Sequence, residues 1–386
     1  MLPERLEFTP ERDSEVFASV PAAPAVFVLR GEDAGAEPYV SKTANLRRRL
    51  QRLLGPVEER TKKLNLRSRV RSIEYTRTGS DFESGFLLYQ LLRTTFPKAY
   101  GTRLRFRFAP LVKLHLGNEY PRASITTRIG RLHGRSLYYG PFPSRMMAEK
   151  FMNDSLDFFK MRRCVDDLHP DSAFPGCIYS EMKMCLAPCF KGCTDDAYSA
   201  EVSRVQSYFD SGGESLSREF SSQRDSASTG LDFENAAAIH AKLEKLKPIL
   251  SQLPEAVRRV DQLSALIIQP SNALDSVTFF RIAAGNITGP LPFPIQPRDH
   301  TKSQSMESRV QETLNAFPGK KRIAALETME HLAILKRWYY RSSRAGEILF
   351  ADHKGELPMR RIVRGIARVL KGEKPETESN KQPENS

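Results

Sequence analysis

An α+β fold with more than one buried core is predicted by three features of the 386-residue sequence. Short apolar segments bounded by Gly- and Pro-containing turns recur at strand length near residues 24–43, 72–79, 104–144 and 261–293. Other stretches carry apolar residues at helical spacing, notably 80–97, 231–250 and 357–370. The length suits two to four domains. The expected order is a small mixed-sheet domain (1–102), a β-rich, cysteine-bearing segment (103–195), a helical hairpin (196–253), a C-terminal α/β segment (254–370) and a disordered polar tail (371–386).

In "PAVFVLRGEDAGAEPYVSKTANLRRRL" (24–50), two short strands joined by a Gly-containing turn lead into a basic helix. Residues 72–79 read as a third strand. A helix follows over 80–97, with Asp81 as N-cap and Pro97 as stop. Residues 104–117 read as strand, and 120–144 as a β-hairpin with a turn. A helix then runs from 144 into Cys164. Helical sequence resumes near Thr194, breaks at "SGGES" (211–215), restarts to Ser228, turns at "TGLD" and continues from Phe233 to Leu250. Strands with a Gly-Asn turn occupy 261–293, and two amphipathic helices fall within 321–342 and 357–370.

Lys and Arg outnumber Asp and Glu by 59 to 46, a net charge of +13. Such an excess favours a polyanionic partner, because phosphate neutralisation releases counterions. The opening residues, "MLPERLEFTPERDSEVF", are charged throughout and do not read as a secretion signal. No apolar run approaches the roughly 20 residues of a membrane span. A cytoplasmic setting without membrane contact is therefore expected, and thiols there stay reduced.

All five cysteines lie between Cys164 and Cys193. Four thiolates, Cys164, Cys177, Cys185 and Cys189, can wrap one tetrahedral Zn2+ or one iron–sulfur cluster, and spacing does not separate the two. His169 is a further zinc-ligand candidate, although a lone loop histidine is usually solvated. In the hairpin, Ala236, Ile239, Leu243, Leu246 and Leu250 share one face. That face packs on its own domain or docks on a partner protein. In "LPMRRIVRGIARVL", Arg361, Arg364 and Arg368 share a face suited either to DNA or to plain solvation.

Taken in order, "YVSKTANLRRRL", "YYGPFPS", "CLAPC" and "DFENAAAIHAKL" resemble the UvrC family across roughly residues 20–250. UvrC is the incision component of the ABC excinuclease in bacterial nucleotide excision repair. The resemblance implies an N-terminal GIY-YIG nuclease fold with single-metal phosphodiester hydrolysis on Mg2+ or Mn2+. It implies a [4Fe-4S] cluster on Cys164, Cys177, Cys185 and Cys189, with Cys193 unassigned. It also makes the hairpin a UvrB-interacting (UVR) motif, with Phe233, Ile239, Leu243 and Leu246 as partner-binding residues, and it implies a bacterial cytoplasmic protein with DNA and a UvrB-like helicase as partners.

Residue by residue, Tyr39, Lys42 and Arg49 stand at retained nuclease positions, with Arg47 and Arg48 as additional phosphate contacts. Phe27 replaces the expected catalytic Tyr, Ser41 the Gly of the second motif, and Leu88 the metal-binding Glu. Glu83 is the nearest alternative carboxylate, but it lies about 140° around the helix from Leu88. Loss of metal ligand and hydroxyl removes the means of activating water. The expectation is thus a UvrC-like DNA-binding protein with weak or absent incision. The alternative is an endonuclease that makes a single incision through an altered site. Residues 261–293 resemble at most the opening strands of the second family nuclease, and a complete domain of that kind with its helix-hairpin-helix region is not expected within residues 254–386.

Overall fold

The computed structural model describes residues 2–33, 35–56, 64–130, 135–165, 168–296, 304–319 and 324–375. The α+β class holds, in the form of three four-stranded sheets among the described residues. All their strand pairings are antiparallel, so the expected mixed sheet is corrected. The connection between the first two paired strands is too short for the crossover that parallel pairing needs.

The first sheet collects β1 (Glu4–Glu7), then, after helix α1 (Asp13–Ser19), β2 (Ala25–Gly31), β3 (Tyr39–Thr43) and, after α2 (Leu46–Leu54), β4 (Val70–Arg77), in the order β1-β4-β2-β3. Asn45 starts α2, its side chain accepting the Arg48 N–H at 2.9 Å. Leu46, Leu50, Leu53 and Leu54 then fall on one face and are buried with Phe27, Leu29, Ile73 and Tyr75. The arginines of this helix are left on its other faces.

Helix α3 (Asp81–Thr95) is capped by Ser80, whose hydroxyl accepts the Glu83 N–H at 3.0 Å, and not by Asp81 as expected. A short α4 (Tyr100–Leu104) follows. The strand expected over 104–117 shrinks to β5 (Leu111–Leu114). Pro110 has no N–H for a ladder, and Phe106 turns toward Tyr89 of α3, with ring centroids 5.8 Å apart.

The second sheet adds β6 (Ala123–Thr126) and β7 (Leu137–Gly140). The hairpin expected over 120–144 does not form. The two strands flank β5 on opposite sides, because β5 is buried and takes the centre. Helix α5 (Arg145–Leu156) ends eight residues before Cys164. Phe159 and Met161 beyond it are drawn into the core instead of continuing the helix. Then come α6 (Ile178–Glu181), α7 (Asp195–Asp210), the hairpin α8 (Glu214–Thr229) and α9 (Phe233–Ser251), and the edge strand β8 (Arg258–Arg259).

The third sheet holds β9 (Ala265–Pro270), β10 (Ser276–Ala283), β11 (Asn286–Pro294), and, after α10 (Met306–Asn315) and α11 (Ala325–Tyr339), β12 (Glu347–Phe350), in the order β11-β10-β9-β12. Helix α12 (Met359–Lys371) follows. Alternation along β9 feeds two cores. Ala265 and Ile267 pack with α11, and Leu266 and Ile268 with α10 and α12. The tail expected to be disordered from Lys371 begins inside α12, and residues 376–386 lie outside the described residues.

The α11 core also takes in α3. Phe82 lies 5.0 Å from both Phe280 and Trp338, edge-on to the former. Gly79, just before α3, makes this approach possible: a Cβ there would lie 2.2 Å from the Pro270 carbonyl. Helix α3 is thereby seated against the third sheet and α11.

Candidate nucleic-acid interface

Strand β3 is the edge of the first sheet, and its alternation divides the residues expected to form one site. Phe27 pairs with Ser41 and Leu29 with Tyr39, whereas Val26 pairs with Lys42. Paired residues share a face, so Tyr39 and Ser41 look toward α2, and Lys42 looks toward α3. On the α2 side, Arg49 donates to the Tyr39 hydroxyl at 2.7 Å. The Arg49 Nε–H is buried and has no hydrogen-bond partner among the described residues. Phe27 is completely buried, its ring 6.1 Å from that of Tyr39.

On the α3 side, Lys42 Nζ donates to Asp81 Oδ1, and Arg341, just past α11, donates to Asp81 Oδ2 at 2.6 Å. Partial burial alone would raise the Asp81 carboxyl, but these two cations outweigh it and hold it below its usual value. A Cβ at Gly85 would lie 3.9 Å from Lys42 Nζ, so the face bearing Asp81 and Gly85 is the one turned to β3. Leu88 is seven positions after Asp81, which is about 20° short of two turns, and shares that face.

Sequence reasoning missed Asp81 as the carboxylate on this face. The same helical arithmetic that places Glu83 elsewhere would have found it. Glu83 itself is excluded as a ligand on this face. It is buried, and its carboxylate accepts the Gly79 N–H at 2.8 Å. Burial raises its carboxyl, opposed by that hydrogen bond.

The basic residues also divide. Arg48 is exposed, as is Arg52 one turn on. Arg47 is corrected to a structural role: it donates to the Val20 carbonyl at 2.8 Å and to the Ala18 carbonyl at 3.3 Å, closing the end of α1. On α12, Arg364 is exposed and Arg361 half-buried. Arg368 is corrected as a DNA contact, because it grips the buried Glu347 carboxylate with bonds of 3.0 and 2.6 Å. The exposed row of this helix is Arg360, Arg364 and Lys371.

The UvrC/Cho excinuclease middle domain matches residues 109–208, from just before β5 through most of α7. Proteins described as UvrABC system protein C align over most of the chain. The one from Carboxydothermus hydrogenoformans is 27% identical over 279 residues, covering 71% of this chain and 44% of the relative. The one from Rickettsia bellii is 26% identical over 271 residues (70% and 42%), and the one from Alcanivorax borkumensis 24% over 355 (87% and 58%). The chain is UvrC-like. It spans about half the length of these relatives. No solved structure matches it. No helix among its described residues is long and apolar enough to cross a membrane.

Within the UvrC-like middle segment, the expected thiolate set is not assembled. Among the described residues, no three His, Cys, Asp or Glu side chains are gathered to hold a metal ion. The Cys177 sulfur is engaged in capping α6. The Cys164 sulfur accepts from Arg162 at 3.4 Å and that of Cys185 from the Ala187 N–H at 3.3 Å. Burial pushes the Cys185 thiol up to about 11, and the neighbouring Cys164, Cys189 and Cys177 add to the shift. Burial raises the Cys193 thiol, with Asp195 and then Cys189 adding to it, and His169 is exposed. The five thiols thus lie within one segment without converging on a common point among the described residues.

The hairpin of the UvrC-like chain also sorts its residues. Ile239, Leu243 and Leu246 are buried with Leu216, Phe220 and Val205, so these three are corrected from partner contacts to core residues. Phe233 and Leu231 at the turn are exposed, at 65% and 73%. The side chain of Asp232 accepts the Asn235 N–H at 3.2 Å and fixes the start of α9 between them.

Proposed function

We propose that this UvrC-like chain acts in nucleotide excision repair as a DNA-holding protein that docks a UvrB-like helicase and cuts weakly or not at all. The carrying observation is Phe27: a fully buried phenyl ring stands where the resemblance expects a reacting hydroxyl. Arg48 and Arg52 are exposed to meet phosphates, and Arg49 keeps a buried Nε–H that has no partner among the described residues. The carboxylates nearby are already committed, Glu83 to Gly79 and Asp81 to Lys42 and Arg341.

The test is incubation with nicked, bubble and damaged duplexes in Mg2+ or Mn2+. Binding that weakens with salt, without cleavage, is expected. Cleavage that disappears in Arg49→Ala overturns the reading. It would favour an endonuclease making a single incision, with Asp81, once released from Lys42 and Arg341, as the carboxylate on the Lys42 face.

The apolar tip, Leu231 and Phe233, is the proposed docking point for the UvrB-like partner. Phe233→Glu should abolish co-purification with UvrB, and unchanged binding removes the tip from the interface. Cys164, Cys177, Cys185 and Cys189 are the residues that would hold a [4Fe-4S] cluster, with Zn2+ as the alternative. Their clustering in one short segment and their soft sulfur chemistry support this, and the loop must close for them to converge. When bound, the group would supply folding energy to a loop with little apolar core of its own. Anaerobic purification should give iron and acid-labile sulfide. Stoichiometric zinc would favour the alternative, and neither metal would remove the site.

A further inference from the structure

Two cations from distant parts of the chain, Lys42 on β3 and Arg341 beyond α11, converge on the two oxygens of one carboxylate, Asp81. All three remain in contact with water: the Asp81 side chain is 60% exposed, that of Arg341 50% and that of Lys42 31%. A carboxylate and a phosphodiester each present two anionic oxygens on one atom. We propose that Lys42 and Arg341 form a clamp for a nucleic-acid phosphate, and that Asp81 occupies this clamp in the free protein until the phosphate displaces it.

Three features carry this assignment. The pair is poorly suited to a permanent tie, since water and salt compete with exposed ion pairs. The permanent ties between the same two regions are elsewhere and buried, at Phe82–Trp338 and Tyr89–Glu330. The clamp also carries one net positive charge with Asp81 in place, and Arg337, one turn before Arg341, is exposed beside it on the chain. A phosphate entering between Lys42 and Arg341 would meet both segments at once. It would extend the interface from the edge of the first sheet onto the C-terminal part of the molecule.

The clamp rests on the DNA-holding reading above, and the experiment separates the two. Binding of the full chain to a fluorescent bubble duplex is measured across a salt series. Asp81→Asn frees both cations, and its affinity should rise about 3- to 10-fold at about 0.1 M salt, as expected for one further phosphate contact. Arg341→Ala should weaken binding, flatten the log–log salt slope by about 1, and cancel the gain when combined with Asp81→Asn. Asp81→Ser serves as a second release variant, and thermal melts of every variant confirm folding.

If both folded Asp81 variants bind no more tightly than the parent, and Arg341→Ala leaves the slope unchanged while Arg48→Ala lowers it, the clamp is overturned and DNA holding stands. If the parent chain binds no duplex with any salt dependence, both fall.

Discussion

Helix α3 has two faces that handle charge in opposite ways. One carries Asp81, which meets Lys42 and Arg341 in contact with solvent. The other sinks into the α11 core. There Tyr89 donates to Glu330 at 2.8 Å, and Tyr100 donates to the same carboxylate at 2.6 Å. Arg93 bonds Glu327 at 2.9 Å and the Tyr89 hydroxyl at 3.0 Å. His331 accepts the Ile287 N–H on its Nδ1 and packs on Phe86 and Tyr89. In the interior a polar group without its partner is costly, so each partner is specified. At the surface water competes for every charge, so partners can be exchanged. The exchangeable face is the one fitted to a ligand.

The largest test of this contrast is Glu330→Ala. It leaves the Tyr89 and Tyr100 hydroxyls without their acceptor and should lower stability by about 3 kcal/mol in chemical denaturation. A loss below about 0.5 kcal/mol would show that the buried face is no tie. Helix α12 repeats the contrast. Arg368→Ala strands the buried Glu347 carboxylate and should also cost about 3 kcal/mol.

The next effect is a pH dependence. Burial lowers His331 to about 4 from an ordinary 6.5, so the unfolded chain binds the proton more readily. Stability is then complete above the unfolded value and falls with pH toward the folded one, by on the order of 2 kcal/mol from about pH 7 to about pH 5. The burial-lowered His115 adds in the same direction. Denaturation midpoints that stay flat across this window would contradict a neutral buried His331.

The exposed face should respond least. Asp81→Ala is expected to cost no more than about 1 kcal/mol, and a loss comparable to that of Glu330→Ala would make the two faces alike. Arg364→Ala should leave stability within about 0.5 kcal/mol while weakening DNA binding. That result would separate it from Arg368, one turn away on the same helix.

Much of the fold is legible where local chemistry decides it. The hairpin can be read almost to the residue, because a Gly-containing turn, the Asp232 cap and the 3-4-3-4 spacing all act within a few positions. The apolar runs of β9 through β11 are equally plain. The candidate site is legible only in its residue types. Tyr39 and Arg49 do meet, but Lys42 lies on the opposite face of the same strand, and nothing in the neighbouring letters ties Asp81 to Arg341.

By itself, then, the sequence determined the α+β class, the basic surface, the cysteine-bearing segment and the identity of Phe27 at a position where the resemblance expects a hydroxyl. Only the tertiary structure decided that β6 and β7 flank β5, that Arg47 and Arg368 are structural while Arg48 and Arg364 face water, and that Arg341 comes to Asp81 across 260 positions of sequence. Periodicity and capping act over one or two turns and leave their mark in neighbouring letters. Strand partners and ion pairs are set by which surfaces are buried together, and that depends on the whole chain at once.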